Sequence, residues 1–293
     1  MIEFYILGDM GSGLKSQTDV VSGMLDDKIH LKDTFVCGLG DNIYENGCYS
    51  VNDVQFSTKF EKPYDKIPDS IKFYMCLGNH DYGYEENNGY FKQVDNSKHQ
   101  VHYGIQSQEI GGKWYMPHNY YQVHKQDGDV SIDFFVMDSN FDVLSKQKQN
   151  EQYDDLKQWI NSSRSDWKIL IGHHTWKSVG DHGGENPDFE NYLYRLFTEA
   201  PFDIYMCGHD HIKQVSEYKI QSKTVTLIVC GTGGALLHGR DLIDFNKKNI
   251  DDYDFLFLST NLGFGNCQAT KRKLTFTFKN EKNKLEFIYD LLK

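Results

Sequence analysis

Five short apolar runs in this sequence end at or near a glycine that is followed by an oxygen or imidazole donor. The donors are Asp9, Asp41, Asn79 with His80, His173, and His209 with His211. A single residue of this kind is usually structural, because turns and helix caps use the same side chains. Five together favour a metal site, and a set of O and N donors without thiolates suits iron, zinc or manganese. There are enough donors for two ions that share one carboxylate, which is an arrangement that clamps a phosphate for in-line displacement.

Seven apolar runs indicate the strands that would position these donors. They cover residues 3–9, 34–42, 71–81, 133–140, 167–174, 204–211 and 226–234. Helical periodicity lies between them, with apolar residues on one face at 20–25, 153–160 and 189–197. Strands that alternate with helices predict an α/β fold. Because sites in open α/β sheets gather beyond the carboxyl ends of the strands, we expect the donors to meet at one sheet edge.

Two further segments predict antiparallel hairpins. In the first, strands around 119–125 and 130–137 lie on either side of the turn dipeptide Asp127-Gly128. In the second, alternating apolar and polar residues flank the polar segment 279–283. The sequence has no linker and no internal repeat, so we predict a single domain over residues 1–293.

The charge of the chain bears on its partners. Forty-two Asp and Glu residues against 31 Lys and Arg residues give a formal net charge of −11. That charge repels nucleic acid and anionic membranes unless a basic patch reverses it locally, and the densest basic run is only residues 271–273. No apolar stretch approaches the length of about 18 residues that suggests a membrane span. We therefore expect no nucleic-acid partner and no membrane partner, and we expect a monomer.

The cysteines and the first residues bear on the compartment. Cys37, Cys76, Cys207 and Cys230 lie inside apolar runs, which favours free buried thiols. The sequence leaves open whether the remaining pair, Cys48 and Cys267, forms a disulfide. Met1 leads into a strand-like run that lacks the basic start of a signal peptide. These features favour the cytoplasm, or a non-classical export route, over secretion.

Five motifs, taken in order, resemble the five blocks of the calcineurin-like metallophosphoesterases. The motifs are "GDMG" at 8–11, "GDNIY" at 40–44, "GNHD" at 78–81, "GHH" at 172–174 and "GHDH" at 208–211. Within that superfamily, Tyr44 and the segment "HTWKSVGDHG" at 174–183 resemble the small, tartrate-resistant purple acid phosphatases. Segments 113–121, 136–139 and 230–234 are similar too, so the resemblance covers nearly the whole chain. It implies a four-layer α/β/β/α fold, in which two mixed sheets pack face to face with helices outside.

The resemblance also implies a dinuclear metal centre. The residues that match the ligands of the family's ferric ion, Fe(III), are Asp9, Asp41, Tyr44 and His211. The residues that match the ligands of a second, divalent ion (Fe, Zn or Mn) are Asp41 again, as the bridge, Asn79, His173 and His209. The chemistry of Tyr44 agrees with a ferric ion. A tyrosine has a pKa of about 10 and is a poor ligand at neutral pH, but the field of a trivalent ion is strong enough to remove its proton. Asn79 is a neutral donor, which suits an ion of charge 2+.

The implied activity is that of an acid phosphatase. A hydroxide held by the two ions would attack a small-molecule or protein phosphomonoester. His80 and His182 match the family's histidines near the metals, and we expect them to donate a proton to the leaving group or to stabilise it. Asp81 either orients the His80 ring or is a turn acid, and the sequence does not decide between the two.

Other residues near the motifs are expected to shape the pocket. His174 stands where the family usually has an aromatic residue, and we interpret it as part of the pocket wall. Tyr82, Tyr84 and Tyr90 either line the substrate entrance or are surface aromatics. Met10 stands where the family commonly has Trp, which leaves Asp9 intact but changes the packing beside it. The polar segment 139–150 is short, which predicts that a long loop over the site is missing.

Two alternative functions remain at this stage. A di-metal phosphodiesterase or phosphoprotein phosphatase of the same superfamily is less favoured, because Tyr44, Glu45 and Asp81 stand where such protein phosphatases carry an Asp-Arg pair and a Glu. A non-catalytic binding module with a retained metal site is the other alternative. Loss of catalysis should be visible as a broken ligand, and none of the seven matched ligands is broken.

Overall fold

The computed structural model of the chain describes residues 1–87, 90–183, 186–236 and 253–293. In chain order, the strands are β1 (Ile2–Leu7), β2 (Val36–Gly38), β3 (Phe73–Met75), β4 (Tyr84–Asn87), β5 (Tyr90–Gln93), β6 (Trp114–Tyr115), β7 (Tyr121–Asp127), β8 (Val130–Val136), β9 (Trp167–Ile171), β10 (Ile204–Cys207), β11 (Lys213–Ile220), β12 (Lys223–Cys230), β13 (Asp254–Ser259), β14 (Gly263–Ala269), β15 (Lys273–Asn280) and β16 (Leu285–Leu292). The α-helices are α1 (Lys15–Asp26), α2 (Val54–Phe56), α3 (Asn79–Tyr82), α4 (Ser97–Glu109), α5 (Lys146–Ser162) and α6 (Pro187–Glu199). A 3-10 turn (Ile29–Leu31) follows α1, and a π turn (Ser57–Glu61) continues α2.

Within the described residues, the strands form two seven-stranded mixed sheets and one small hairpin. The first sheet has the order β16-β15-β14-β1-β2-β3-β6, and the second has the order β13-β11-β12-β10-β9-β8-β7. In the first sheet, β1, β2, β3 and β6 run parallel. In the second, β8, β9, β10 and β12 run parallel. The carboxyl ends of the central strands therefore lie together at one edge of each sheet.

The apolar side chains divide into three cores that define four layers. The first core lies between the sheets and combines side chains of both, such as Phe4 and Cys37 with Phe134 and Ile169. The second packs α5 and α6 against the other face of the second sheet, as at Leu156. The third packs α1, α2 and α4 against the outer face of the first sheet. The four-layer α/β/β/α prediction is thus confirmed, with two mixed sheets between layers of helices.

All seven apolar runs form strands, but they do not belong to one sheet. The runs that end near Asp9, Asp41 and Asn79 are β1, β2 and β3 of the first sheet, whereas those that end near His173 and His209 are β9 and β10 of the second. The expectation of a single sheet edge is therefore wrong, because the donors come from the edges of two packed sheets. Strand order is a long-range property that local periodicity does not encode.

The remaining predicted elements are present with shifted bounds. The three predicted helices correspond to α1, α5 and α6, and both predicted hairpins form, as β7–β8 and β15–β16. The first hairpin turns at Gly128, whose φ is +57°, with β7 extending through Asp127. Helix α4 was not predicted, because its buried face contains Gln100, Gly104 and other small or polar residues and lacks a clear apolar stripe.

Two other expectations concern the cysteines and the membrane. All six cysteines are buried free thiols, so Cys48 and Cys267 are not paired with each other. None of the helices in the described ranges has the length and apolarity needed to cross a bilayer.

Candidate metal centre

The candidate ligands occupy the turns that follow five parallel strands. Asp9 follows β1, Asp41 and Tyr44 follow β2, Asn79 follows β3, His173 follows β9, and His209 and His211 follow β10. Since both sheets present the carboxyl ends of these strands at the same end of the molecule, the structure brings all seven side chains together. That these residues bind metals stays a prediction, which the geometry below makes specific.

Three of the candidate ligands have unusual backbone conformations. Asp9, Asp41 and His209 have φ values of +56°, +51° and +68°, in the left-handed region that L residues rarely adopt. Each such residue costs on the order of 1 to 3 kcal/mol and persists only where the surroundings enforce it. Strain of this kind clusters at functional sites, and here it bends the chain sharply so that each side chain projects beyond its strand.

Two glycines allow the turns to approach each other closely. A Cβ at position 78 would lie 2.1 Å from Asp41 Oδ1, and a Cβ at position 40 would lie 2.5 Å from His173 Nδ1. Gly40 also has a φ of +88°. Any side chain at these positions would displace a candidate ligand, so the motif glycines make room for the donors.

The first donor group contains Asp9, Tyr44 and His211. The Tyr44 hydroxyl lies 3.0 Å from Asp9 Oδ1 and 3.2 Å from His211 Nε2, and His211 Nε2 lies 3.3 Å from Asp9 Oδ1. Two atoms that bind one ion at about 2.1 Å lie about 3.0 to 3.4 Å apart, for bond angles between a right angle and the tetrahedral angle. The three atoms therefore have the spacing of ligands around a common ion.

The second donor group contains Asp41, Asn79, His173 and His209. His173 Nε2 lies 3.3 Å from Asp41 Oδ2, 3.1 Å from Asn79 Oδ1 and 3.2 Å from His209 Nδ1. Ligand atoms of Asp41, His173 and His209 all lie within 4.8 Å of one another, and all three residues are buried. This group also has the spacing of ligands around one ion.

Asp41 lies between the two groups. Its carboxylate is next to His173 in the second group, and its charge also raises the pKa of the Tyr44 hydroxyl in the first group. Its Oδ1 accepts a hydrogen bond of 2.9 Å from the backbone N–H of His80. A carboxylate between the two groups could bridge two ions, and this role, which the family resemblance implies for Asp41, stays a prediction.

Hydrogen bonds outside the donor groups fix how the ligands face the site. His173 Nδ1 lies 2.8 Å from the carbonyl oxygen of Leu39, and His211 Nδ1 lies next to that of Leu236. A carbonyl only accepts, so Nδ1 carries the proton in both rings and the Nε2 lone pair faces the site. The Asn79 amide donates from Nδ2 to the Tyr84 hydroxyl at 2.9 Å, which directs Oδ1 toward His173. The donor atoms of His173, His211 and Asn79 are therefore directed into the site before any ion binds.

The electrostatics of the two groups favour a cation. Burial lowers the pKa of His173, but the carboxylates of Asp41 and Asp9 outweigh it and raise that pKa to about 9. Burial likewise lowers the pKa of His211, but the neighbouring Asp9 raises it to about 9. Burial raises the pKa of Tyr44 well above its usual value, and Asp41 and Asp9 raise it further. The buried carboxylates that raise these three pKa values would also attract a cation, and a set of O and N donors without thiolates suits iron, zinc or manganese.

The two candidate catalytic histidines flank the donor groups. The His80 ring lies 4.4 Å from the Tyr44 ring, and its Nδ1 is 2.7 Å from the carbonyl oxygen of Glu45. The His182 ring lies 4.2 Å from the His209 ring, beside the second group. The structure thus places one histidine next to each donor group, and their catalytic roles remain predictions.

Asp81 does not orient the His80 ring. Its buried carboxylate accepts hydrogen bonds from the backbone N–H groups of Asn42, Ile43 and Gly78, and from the side-chain amides of Asn42 and Gln100. The suggestion that it holds His80 is therefore wrong, because its oxygens already have these five donors and His80 Nδ1 faces Glu45. Asp81 instead ties the turn after β2 to the turn after β3.

Asp210, which lies between two candidate ligands in "GHDH", was not among the predicted site residues. This carboxylate is fully buried, and its Oδ1 lies 3.0 Å from the backbone nitrogen of His182 and 3.2 Å from His182 Nδ1. An acid between two histidine ligands was the available signal. Its partner could not be inferred, because His182 lies in a different loop.

A cavity of about 300 Å³ lies beside the second donor group. Its lining includes Asn79, Tyr84, Ser139, His174, His182, Phe189 and His209. His174 thus lines the pocket, as expected. Of the tyrosines whose place the sequence left open, Tyr84 lines the pocket too, whereas Tyr82 is buried and donates to Asp138 at 2.5 Å. The side chain of Tyr90 lies outside the described residues. The short segment after β8, including Ser139 and Phe141, forms one wall of the cavity rather than a long cover.

Met10 is buried beside the first donor group. It belongs to the core between α1 and the first sheet, and its Cε would lie 3.3 Å from a Cβ at position 38. A flexible thioether therefore fills the space next to Asp9 where the resemblance leads us to expect Trp. Met10 therefore contributes to packing here, and Asp9 still lies beside Tyr44 and His211.

The chain is similar in sequence to purple acid phosphatases over most of its length. It is 26% identical to purple acid phosphatase 4 of Arabidopsis thaliana, over 94% of this chain and 79% of that protein. It is also 26% identical to tartrate-resistant acid phosphatase type 5 of Homo sapiens, over 68% of this chain and 60% of that protein.

Solved structures share the fold at lower sequence identity. GAP50 of Plasmodium, described as the anchor in the inner membrane complex, matches with a TM-score of 0.79 and 21% identity over 99% of this chain and 88% of that chain. The purple acid phosphatase PPD1 of yellow lupin (Lupinus luteus) matches with a TM-score of 0.72 and 17% identity, over 99% of this chain and 53% of that chain.

The sequence profile of the calcineurin-like phosphoesterases matches residues 2–213, which include all seven candidate ligands. The relatives of this chain among the purple acid phosphatases imply that it uses divalent metal ions. The chain therefore belongs to the calcineurin-like phosphoesterase family.

Proposed function

We propose that this protein is an acid phosphatase that hydrolyses phosphomonoesters at a dinuclear centre of Fe(III) and a second divalent ion. The observation that carries the proposal is the first donor group, in which the Tyr44 hydroxyl lies 3.0 Å from Asp9 and 3.2 Å from His211. A tyrosine whose pKa is raised by burial and by two carboxylates is a poor ligand for a divalent ion. A ferric ion has enough charge to displace that proton, so Tyr44 selects for iron.

The second donor group suits an ion of lower charge. Asp41 is the carboxylate in this group, and Asn79, His173 and His209 are neutral donors when they bind a metal. Iron, zinc and manganese in the 2+ state all accept such a set. When bound, the two ions supply an acidified water and neutralise the charge of the phosphate.

The two flanking histidines would handle the leaving group. His80 Nδ1 donates to the carbonyl oxygen of Glu45, and His182 Nδ1 donates to Asp210, which makes Nε2 the proton-exchanging atom of each ring. A proton given from Nε2 to the departing oxygen would avoid the release of a bare alkoxide. The substrate is a small-molecule or protein phosphomonoester that reaches the second donor group through the cavity.

A non-catalytic binding module is the second candidate. The structural similarity to GAP50, which is described as an anchor, is the observation that favours it. The enzyme is favoured by the seven intact candidate ligands and by His80 and His182, which lie beside the two donor groups. An anchor needs neither feature. The two candidates differ in one result: a binding module with both ions bound would not hydrolyse a small aryl phosphate.

The test combines metal analysis, a visible spectrum and turnover of an aryl phosphate. We expect the purified protein to contain iron and a second metal, to absorb visible light through a tyrosinate-to-iron transition, and to release phosphate. Tyr44→Phe should abolish the absorption band and lower the iron content, while Tyr120→Phe should change neither. Tyr120 is a fitting control because its hydroxyl also contacts a carboxylate, that of Asp155, at 2.8 Å. A colourless protein that holds only manganese or zinc would contradict the proposal.

A further inference from the structure

The cavity beside the second donor group has His174 in its wall, immediately after the candidate ligand His173. The His174 ring lies 4.5 Å from the His209 ring and 5.2 Å from the His173 ring, measured between centroids. Asn79, His182 and His209 line the same cavity. A hydrogen-bonding atom of His174 that faces the cavity would therefore be close to any group bound at the second donor group.

The hydrogen bonds of Ser139 determine which nitrogen of His174 carries the proton. Ser139 Oγ lies 3.0 Å from the backbone nitrogens of both His173 and His174, and 2.8 Å from His174 Nδ1. A hydroxyl has two lone pairs and one proton. The two backbone N–H groups use both lone pairs, so the hydroxyl proton must go to Nδ1. His174 Nδ1 is therefore an acceptor, and Nε2 carries the only proton of the ring.

Two further contacts hold His174 in place, one on its backbone and one on its ring. The Tyr205 hydroxyl donates to the backbone oxygen of His174 at 2.6 Å, and the Phe189 ring meets the His174 ring edge to face at 6.2 Å. Within the ranges that the structure describes, Nε2 has no hydrogen-bond partner. A donor in a fixed ring, at the wall of a cavity, with its proton assigned by its neighbours, is arranged to bind an acceptor.

We propose that His174 is a phosphate-binding residue, which donates a hydrogen bond from Nε2–H to an oxygen of the phosphate group in the cavity. The proposal rests on the proposed function, since that function supplies the phosphate. It assigns a different role from those of His80 and His182, because His174 gives a permanent hydrogen bond and transfers no proton. Ser139 is then a positioning residue that keeps the donor on Nε2.

The experiment measures the binding of inorganic phosphate to the metal-loaded protein by isothermal titration calorimetry. His174→Phe keeps a ring of similar size but removes the donor, and we expect it to weaken binding about tenfold. His174→Gln places an amide N–H near the position of Nε2, and we expect it to stay within about threefold of the unmodified protein. His124→Phe is the control, since the side chain of His124 on β7 is exposed and should not affect binding. Metal content is measured on every variant.

Three results would overturn the inference. His174→Phe could bind phosphate as tightly as the unmodified protein, which would reduce His174 to a wall residue. His174→Gln could be as weak as His174→Phe, which would assign the effect to ring packing rather than to the donor. His174→Phe could lose the second ion in proportion to binding, which would make His174 part of the metal site. A protein that binds phosphate through His174 but releases none from an ester would instead refute the proposed function alone.

Discussion

Asp210 lies between His209 and His211 in the chain, yet its carboxylate contacts His182. One oxygen accepts hydrogen bonds from both the backbone nitrogen and Nδ1 of His182, and the carboxylate is fully buried. A buried carboxylate on Nδ1 fixes the tautomer and orientation of an imidazole and stabilises its protonated form. Asp210 is therefore a positioning residue that links the turn carrying two candidate ligands to a candidate proton donor.

We predict that Asp210→Asn lowers kcat for a phosphomonoester by about tenfold or more and leaves KM within about threefold, because a neutral amide neither fixes the tautomer nor stabilises the imidazolium. His182→Ala should lower kcat as well. In the His182→Ala background, Asp210→Asn should have no further effect, since its partner is gone. Steady-state kinetics of the four proteins measure this coupling.

The matched control is Asp188→Asn, which removes one partner of an exposed ion pair with Lys146. It should leave kcat unchanged. Additive losses from Asp210→Asn and His182→Ala would contradict the prediction. So would a loss of bound metal in Asp210→Asn, because Asp210 would then act through His209 or His211.

At the scale of elements, the site is built from turns that the strands force together. Asp81 shows how these turns are joined, because its carboxylate accepts backbone N–H groups from the turn after β2 and from Gly78 after β3. It also accepts from Gln100 of α4 at 2.7 Å. One buried acid thus holds the turn of Asp41 and Tyr44 against the turn of Asn79.

We predict that Asp81→Asn lowers the free energy of unfolding by about 2 to 4 kcal/mol. Each carboxylate oxygen accepts hydrogen bonds from at least two N–H groups. The NH₂ group of Asn can only donate, so in either orientation it would leave at least two buried N–H groups without an acceptor. The content of both metal ions should fall as well, because the turns after β2 and β3, which carry candidate ligands, would separate. Urea unfolding and metal analysis measure the two effects.

The control for this substitution is Asp53→Asn at the N-terminus of α2. Asp53 also accepts backbone N–H groups, from Gln55 at 3.0 Å and Tyr49 at 2.9 Å, but it lies near the surface. Asn is as good a cap as Asp, so the cost should stay below about 1 kcal/mol. An Asp81→Asn protein with unchanged stability would show that the turns hold their positions without this carboxylate.

The same elements mark how far the sequence could predict the fold and the site. Buried strands are short continuous apolar runs, so these runs predicted all seven strands, and the donors at their ends followed directly. The division into two sheets was not predictable in this way, because it depends on which strands pair across long sequence separations. The role of Asp81 was not predictable for a related reason, since Gln100 and the turns after β2 and β3 come together only in the folded chain. Asp210 and Ser139 were likewise missed, because side-chain partners are not encoded by motif spacing.

At the scale of the whole molecule, the C-terminal strands support the start of the chain. Strand β14 pairs antiparallel with β1, whose end carries Asp9, and β15 and β16 extend the sheet outward. These strands lie beyond residues 2–213, which match the family profile. The described C-terminal segment thus completes the sheet that positions the first donor group.

A charged cluster fastens this segment to the rest of the molecule. Asp27, just after α1, accepts from the Tyr5 hydroxyl of β1 at 2.5 Å and from Lys279 of β15, and Lys32 lies 3.3 Å away. Burial raises the pKa of Asp27, but the hydrogen bonds from Lys279 and Tyr5 and the charge of Lys32 outweigh it, and the pKa lies below its usual value. Three separate elements therefore share one carboxylate whose side chain is only 10% exposed.

We predict that Asp27→Asn lowers the free energy of unfolding by about 2 kcal/mol near neutral pH, since hydrogen bonds to charged groups contribute about 1.5 to 3 kcal/mol. The pKa of Asp27 is lower in the folded state than in the unfolded state, so its contribution is complete above the unfolded pKa and disappears as the pH falls through the folded pKa. The stability difference between the two proteins should thus be constant above about pH 5 and shrink below about pH 4. Urea unfolding across that range tests it, with Asp290→Asn, an exposed partner of Lys273, as a control that costs less than about 1 kcal/mol. A difference that grows as the pH falls would contradict the assignment, because it would require a folded-state pKa above the unfolded one.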